Sequence, residues 1–351
     1  MAQKVIDDNM HFLPTDLFTN EHVLNGFLYS APVTLGVNAF VDKTPDGKKR
    51  QIVLTDKYDE QILNYVEGDY TLEAKMEAMD EAGVDVCMLR MPVWQEWLPL
   101  DICQEVNRQA AEMVKQSEGR LAANAVVPPW GTSECLDEVK KCIEEYGMVG
   151  VQFACAYGNK FLDSELFAPY MEYLNEHKIP AVVHHTPGQN VFEAFHDYTV
   201  VRRELGRIHV QAAAVAREVY SGMFDKYPNL KFVHTMFGGN WFALQNILAP
   251  HVSKKKEAMD RLPSGITRED YDRYLENNIY FDATHPMSWG KENLEAAVKI
   301  CGADHILMGS SFPVFYEWMS RSVATIKGLD ITDEEKDLIL GGNAQKIFGI
   351  E

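Results

Sequence analysis

Eight short apolar runs, separated by longer stretches with helical spacing of apolar residues, constrain the fold of this chain more than any other feature. The runs are Val5–His11, Val84–Leu89, Ala122–Val127, Val149–Phe153, Ala181–His184, Lys231–Thr235, Ile279–Asp282 and Ile306–Met308. Between them lie amphipathic segments such as Leu72–Ala82 and Leu136–Glu145. Strand–helix alternation of this kind builds a parallel sheet covered by helices. Eight repeats match the closed (β/α)8 barrel of the TIM type, an α/β fold. The alternation breaks once, from Thr15 to Asp69. There Val33–Val41 and Gln51–Thr55 flank Thr44-Pro45-Asp46-Gly47-Lys48-Lys49. Asp-Gly between two β-rich runs is a hairpin signal, because glycine supplies the positive φ that the turn needs. The reading is one barrel domain over residues 1–351, with residues 15–69 as a small β-insertion after the first strand, beside the barrel mouth.

In such a barrel the chemistry sits where the C-terminal ends of the strands meet. That rule sorts the histidines, of which the chain has eleven. His11, His184, His185, His234 and His285 end strands or nearly do, whereas His177 and His305 precede theirs and should be structural. His22 and His251 lie away from any strand end. Imidazoles suit proton transfer near neutrality, with an ordinary pKa of about 6.5. Asp282 follows the seventh strand and either orients a histidine or caps the next helix. Gln152 ends the fourth strand as a donor to a substrate oxygen. Arg90 follows the second strand and would anchor a carboxylate or phenolate through two parallel bonds. Aromatic residues flank these positions (Phe12, Trp94, Trp97, Phe153, Phe237, Trp241, Trp289 and Phe312), which suits a flat or cyclic ligand.

Several segments resemble a known family in order and spacing. They are Met79-Asp80-Glu81-Ala82-Gly83-Val84-Asp85-Val86, Leu162-Asp163-Ser164 through Ile179-Pro180-Ala181-Val182-Val183-His184, Tyr227-Pro228-Asn229-Leu230-Lys231-Phe232-Val233, and Gly342-Asn343-Ala344. The resemblance is to the amidohydrolase-related group that contains aminocarboxymuconate-semialdehyde decarboxylase and the resorcylate-type decarboxylases. It implies a metal held by a His-x-His pair on the first strand, a histidine on the fifth and an aspartate on the last. Here His11 matches the second histidine and His184 the strand-five ligand. Asn9 stands in place of the first histidine, and Ser311 in place of the aspartate. The family's catalytic histidine falls opposite Met236. His234 therefore either replaces that proton donor from one layer deeper or is a buried, hydrogen-bonded residue. Gly238-Gly239 brings backbone close to a ligand or simply turns the chain.

Two imidazoles, an amide and a hydroxyl form a weak donor set, since catalytic zinc sites keep three strong protein ligands. No cofactor is therefore expected. The alternative is zinc or manganese on His11 and His184, helped by His234 or Asp282. The resemblance implies nonoxidative decarboxylation of a small cyclic or unsaturated carboxylate. Histidine acid–base chemistry would carry it, with His11, His184, His234, His285 and Asp282 as catalytic candidates. Asn9, Arg90, Gln152, His185, Ser311, Trp241 and Phe312 are the substrate-binding candidates. Opening of a lactone or cyclic diketone by a metal-independent hydrolase is one alternative, and a non-catalytic binding barrel another. The resemblance also suggests a homodimer or larger homo-oligomer.

A net charge of −19 argues against nucleic acid as a partner. The basic run Lys254-Lys255-Lys256 fits a solvated helix face. An anionic substrate would then need arginine or histidine inside the pocket. No run approaches the roughly 18 apolar residues of a membrane span, and the N-terminus carries no signal-peptide core. The six cysteines have no ladder spacing, and reduced thiols in a cytoplasmic protein are the simplest reading.

Overall fold

Strand parity decides which residues of this barrel meet at its centre. The computed structural model describes residues 4–33, 36–92, 97–186, 197–250 and 265–350. The eight apolar runs become β1 (Ile6–His11), β5 (Val86–Arg90), β6 (Leu121–Val126), β7 (Gly150–Ala154), β8 (Ala181–His184), β9 (Phe232–His234), β10 (Ile279–Asp282) and β11 (Ile306–Leu307). They form one parallel sheet of eight strands in that order. Asp8 N donates to Met308 O at 2.9 Å and His11 N to Phe312 O at 2.8 Å, which brings the last strand back to the first. This is the (β/α)8 barrel expected from the alternation. Ile6, Val86, Met88, Val182, Val233, Tyr280 and Leu307 fill its lower interior, closed by Ile347 and Phe348 of the helix Asn343–Phe348.

Between β1 and β5 the chain forms helix α1 (Glu21–Tyr29) and an antiparallel sheet of β2 (Asn38–Lys43), β3 (Arg50–Thr55) and β4 (Gln61–Val66). The β2–β3 turn carries Gly47 at φ +74°, and Asp46 Oδ1 accepts from Lys48 N at 3.1 Å. The third strand, β4, lacks strong alternation in sequence and was not expected. Helix α2 (Leu72–Ala82) is capped by Thr71, whose side chain accepts from Ala74 N, and stops at Gly83 in the left-handed region. Helices α3 (Leu100–Gln116), α4 (Ser133–Glu144), α5 (Ala168–His177) and α6 (Thr199–Tyr220) follow in the barrel's outer layer. Arg202 of α6 pairs with the buried Asp56 carboxylate beyond β3, tying α6 to the small sheet.

After the short helix α7 (Met223–Lys226) and β9, the helix α8 (Met236–Leu248) begins with left-handed backbone. Met236, Phe237, Gly238, Gly239 and Asn240 have φ between 49° and 70°. A Cβ on Gly239 would stand 2.1 Å from Ile208 O and 2.5 Å from Ala212 N, so the backbone here approaches α6. Among the described residues no helix is long and apolar enough to cross a membrane. Trp94, His251 and the lysine run lie outside the described residues.

Candidate active site

A cavity sits at the C-terminal ends of the strands. His11 enters from β1, His185 from just beyond β8, His285 from beyond β10 and Ser311 from beyond β11. Ile62 and Leu63 of β4 supply an apolar roof, while Val314 and Trp318 close the side after β11. Arg203 and Arg207 of α6 supply positive charge. They lie one helical turn apart, and residues at i and i+4 share a helix face.

The hydrogen bonds fix the protonation of two histidines. Arg207 Nη1 lies 3.3 Å from His185 Nε2. A guanidinium only donates, so His185 Nε2 is the acceptor. His185 Nδ1 lies 3.0 Å from Thr235 Oγ1, which itself stands 3.5 Å from Val183 O, the acceptor for its hydroxyl proton. His185 is thus neutral and spends its lone pair on Arg207. His285 Nδ1 is 3.0 Å from Ser310 O, and a carbonyl only accepts, so Nδ1 carries the proton. Its Nε2 then holds a lone pair, is buried, and has no hydrogen-bond partner among the described residues. The His285 ring lies flat on Trp318. Burial depresses the pKa of His285 well below the ordinary 6.5, against the Ser310 bond and with help from Arg207 and Arg203. Burial likewise depresses His185, reinforced by His184 and Arg207. His11 follows the same rule, with His184 and His285 adding to burial. Neither ring nitrogen of His11 has a hydrogen-bond partner among the described residues.

Beneath the cavity lies a second polar layer that the sequence reading assigned differently. Arg90, expected as a substrate anchor, is instead paired inside the barrel and does not line the cavity. Its Nη2 is 2.6 Å from Asp8 Oδ2 and its Nη1 2.9 Å from Asp282 Oδ2, with all three side chains fully buried. Val86, Met88 and Arg90 alternate onto the inner face of β5, so the guanidinium falls inside the barrel, between two carboxylates. Burial raises the Asp8 carboxyl against the pull of Arg90. Asp282 also accepts from Met236 N at 3.2 Å, from Thr284 N at 3.0 Å and from the Thr284 hydroxyl, and it orients no histidine among the described residues. Asn9 Nδ2 donates to Thr284 Oγ1 at 3.1 Å and approaches Asp282 Oδ2 at 3.4 Å. A register shift between Asp7 and Met10 breaks the alternation of β1 and lets Asp8 and Asn9 both reach this layer. Asp7 instead accepts from Ser310 N at 2.9 Å, and burial lifts its pKa to about 6.

His234 is the buried, hydrogen-bonded residue of the two alternatives. Val233 occupies the interior, so His234 points outward, where Nε2 lies 2.8 Å from Glu218 Oε2 and Nδ1 3.2 Å from Gln211 Nε2 of α6. Gln152 spends its amide on the backbone of Met91, accepting at 2.8 Å and donating at 2.9 Å. Trp241 is buried in the core, and Phe312 packs edge-on to Tyr316; neither lines the cavity. His184 stacks on His185 at 4.3 Å and meets His11 edge-on at 5.8 Å, below the cavity surface. Of the candidates, His11, His185, His285 and Ser311 come together at the cavity. The sequence reading missed Arg203, Arg207, Trp318, Ile62 and Leu63. A usable signal was there: two arginines four residues apart, on the helical stretch between the fifth and sixth barrel strands, in a strongly acidic chain.

Asn9, His11, His184 and Ser311 stand where the resemblance places metal ligands. Among the described residues no three His, Cys, Asp or Glu side chains converge as a metal site. The amide and hydroxyl add no negative charge, and the Asp282 carboxylate beside Asn9 is engaged by Arg90. Such a set does not fit a divalent cation, which is held by three or four strong donors.

The fold and this strand-end site belong together in one family. Its sequence profile, described as amidohydrolase, matches residues 100–350, and the chain belongs to that family. The chain is 22% identical over 256 residues to 2-amino-3-carboxymuconate-6-semialdehyde decarboxylase of Dictyostelium discoideum, covering 72% of this chain and 67% of that one. It is 23% identical over 291 residues to gamma-resorcylate decarboxylase of a Polaromonas species, covering 79% and 86%. A solved structure of 5-carboxyvanillate decarboxylase from Novosphingobium aromaticivorans, complexed with manganese and 4-hydroxy-3-methoxy-5-nitrobenzoic acid, superposes with a TM-score of 0.72. That likeness covers 99% of this chain and 96% of the other at 17% identity, and it establishes shared fold.

Proposed function

We propose that the protein is a nonoxidative carboxy-lyase for small planar hydroxy-carboxylates, with His285 as its proton carrier and no tightly held divalent cation. The observation that carries the reading is the His285 Nε2 lone pair, buried at a cavity that also holds two arginines. The decarboxylase relatives support the reaction type. A neutral imidazole of fixed tautomer takes the proton from a phenolic or enolic hydroxyl beside the carboxylate. The imidazolium then delivers that proton to the ring carbon bearing the carboxylate. The carbon–carboxylate bond breaks, carbon dioxide leaves, and the electron pair returns to the ring and its oxygen. The resulting phenolate regains a proton from solvent. His11 and Ser311 face the reacting groups, and the apolar Ile62–Leu63 roof, carried by the segment 15–69, excludes water from the departing carboxylate.

The test is a carbon dioxide release screen over hydroxylated aromatic and unsaturated mono- and dicarboxylic acids. Enzyme purified without added metal is assayed with and without a chelator. Release that survives the chelator and is lost in His285→Ala is the expected result. Release abolished by the chelator and restored by manganese overturns the metal-independent part. Absence of release across the whole set overturns the reaction.

A further inference from the structure

We infer that Arg203 and Arg207 form a subsite for a carboxylate that the reaction leaves in place, so that the substrate is a dicarboxylate. The inference rests on the decarboxylation reading for the fate of that group, and on geometry for the subsite itself.

The subsite is built rather than incidental. Arg207 has a side chain 8% exposed and is held from three directions. Its Nη1 reaches His185 Nε2 at 3.3 Å, its Nε donates to Arg203 O at 3.1 Å, and its Nη2 pairs with Glu204. The Thr235–His185 pair behind it fixes the imidazole as an acceptor, which leaves Arg207 one orientation. Arg203 has looser company. Its acidic neighbour among the described residues is the same Glu204, 3.6 Å away. Burial, followed by the like charge of Arg207, lowers the Arg203 pKa. Two guanidinium groups that line the cavity therefore share one carboxylate, itself 44% exposed. In a chain of net charge −19, a cation at the cavity wall with no carboxylate of its own among the described residues selects an anion. Planar forks match a carboxylate best.

The carboxylate held there is not the one that leaves. Decarboxylation withdraws negative charge from the leaving group, so a guanidinium bonded to it stabilises the ground state more than the transition state and slows the step. The roof offers the opposite environment. Ile62 and Leu63 carry no donor, and an ionised carboxylate beneath them is poorly solvated. A substrate with one carboxylate on the arginines and a second under the roof meets both requirements. A monocarboxylate instead docks its single carboxylate on the arginines and remains intact.

The test has a binding arm and a turnover arm. Benzoate and the neutral benzamide are titrated into wild type, R203Q and R203K. Benzoate should bind where benzamide does not. R203Q should weaken benzoate by about 10- to 100-fold, the worth of one charge-assisted hydrogen-bonded pair, and R203K should keep part of the affinity. In turnover, 4-hydroxybenzene-1,3-dicarboxylate should release one carbon dioxide and keep its other carboxylate, with benzoate as a competitive inhibitor. 2,6-Dihydroxybenzoate should inhibit without being consumed. Benzoate affinity that is absent, or unchanged in R203Q, overturns the subsite even if carbon dioxide is released. Turnover of 2,6-dihydroxybenzoate as fast as that of the dicarboxylate overturns the retained-carboxylate assignment. Arg203-dependent benzoate binding with no release from any acid removes the decarboxylation reading and upholds the subsite.

Discussion

His285 and Trp318 lie face to face, ring centroids 3.3 Å apart and planes within 12°. The indole holds one face of the imidazole while Ser310 O holds its Nδ1 proton, so the ring cannot swing to offer the other nitrogen. His285→Ala should lower turnover by roughly 10²–10⁴-fold, the usual worth of a positioned acid–base group. Trp318→Phe should keep most of the rate and Trp318→Ala should not, as measured by carbon dioxide release. Because the pKa of His285 is depressed below 6.5, its neutral form persists at that pH. The free-enzyme rate constant should stay level from pH 8 to 6.5 and fall only in more acid solution. A decline already complete at pH 6.5 would argue against His285 as the base.

Arg90→Met should cost stability rather than substrate affinity. It leaves Asp8 and Asp282 buried without their shared cation, and breaking a buried pair this way typically costs about 3–5 kcal/mol. Urea denaturation gives the measure. An unchanged midpoint with a raised KM would instead make Arg90 a substrate anchor.

The buried Lys75 ties stability to pH. Its ammonium donates to the His11 carbonyl, and burial lowers its pKa from 10.5 to about 7. Between those values the unfolded chain holds a proton that the folded one lacks, so stability from this group rises with pH. The contribution is fully present above 10.5 and is lost as pH falls through about 7. The denaturation midpoint of wild type should therefore climb from pH 7 towards pH 10. Lys75→Met should flatten that climb, and an identical slope in the two proteins would refute the assignment.

Gly239→Ala should unfold the protein at lower temperature, because its Cβ would overlap Ile208 O and Ala212 N of α6. Gly83→Ala provides a control: it also sits at positive φ, yet its Cβ would meet nothing within 4 Å. Calorimetry should show the larger drop for Gly239→Ala. Equal drops would mean that φ alone, and not the approach to α6, matters.

The barrel was legible because apolar periodicity reports burial directly. All eight strands lie where the runs placed them, within about two residues at their ends. The site was legible only by position. Strand ends nominated His11, His185, His285 and Ser311, which meet at the cavity. Parity was not readable, since a pattern of two cannot say which set faces inward. That is why His234 stayed undecided and Arg90 was read as an anchor. The register shift in β1 leaves no mark in the sequence Ile6–His11, where three polar residues follow one another. Arg203 and Arg207 were missed because they come from a helix, where charged residues ordinarily face water.

The apolar roof over the cavity belongs to β4, in a sheet inserted between the first two barrel strands, and the Arg202–Asp56 pair ties that sheet to α6. The strand-end histidines and the apolar roof therefore reside on separate stretches of chain. On the decarboxylase reading proposed above, replacing the 38–66 segment would change the ring substituents admitted and leave the strand-end histidines in place. For an engineer, Ile62 and Leu63 are the positions at which to begin redirecting this enzyme.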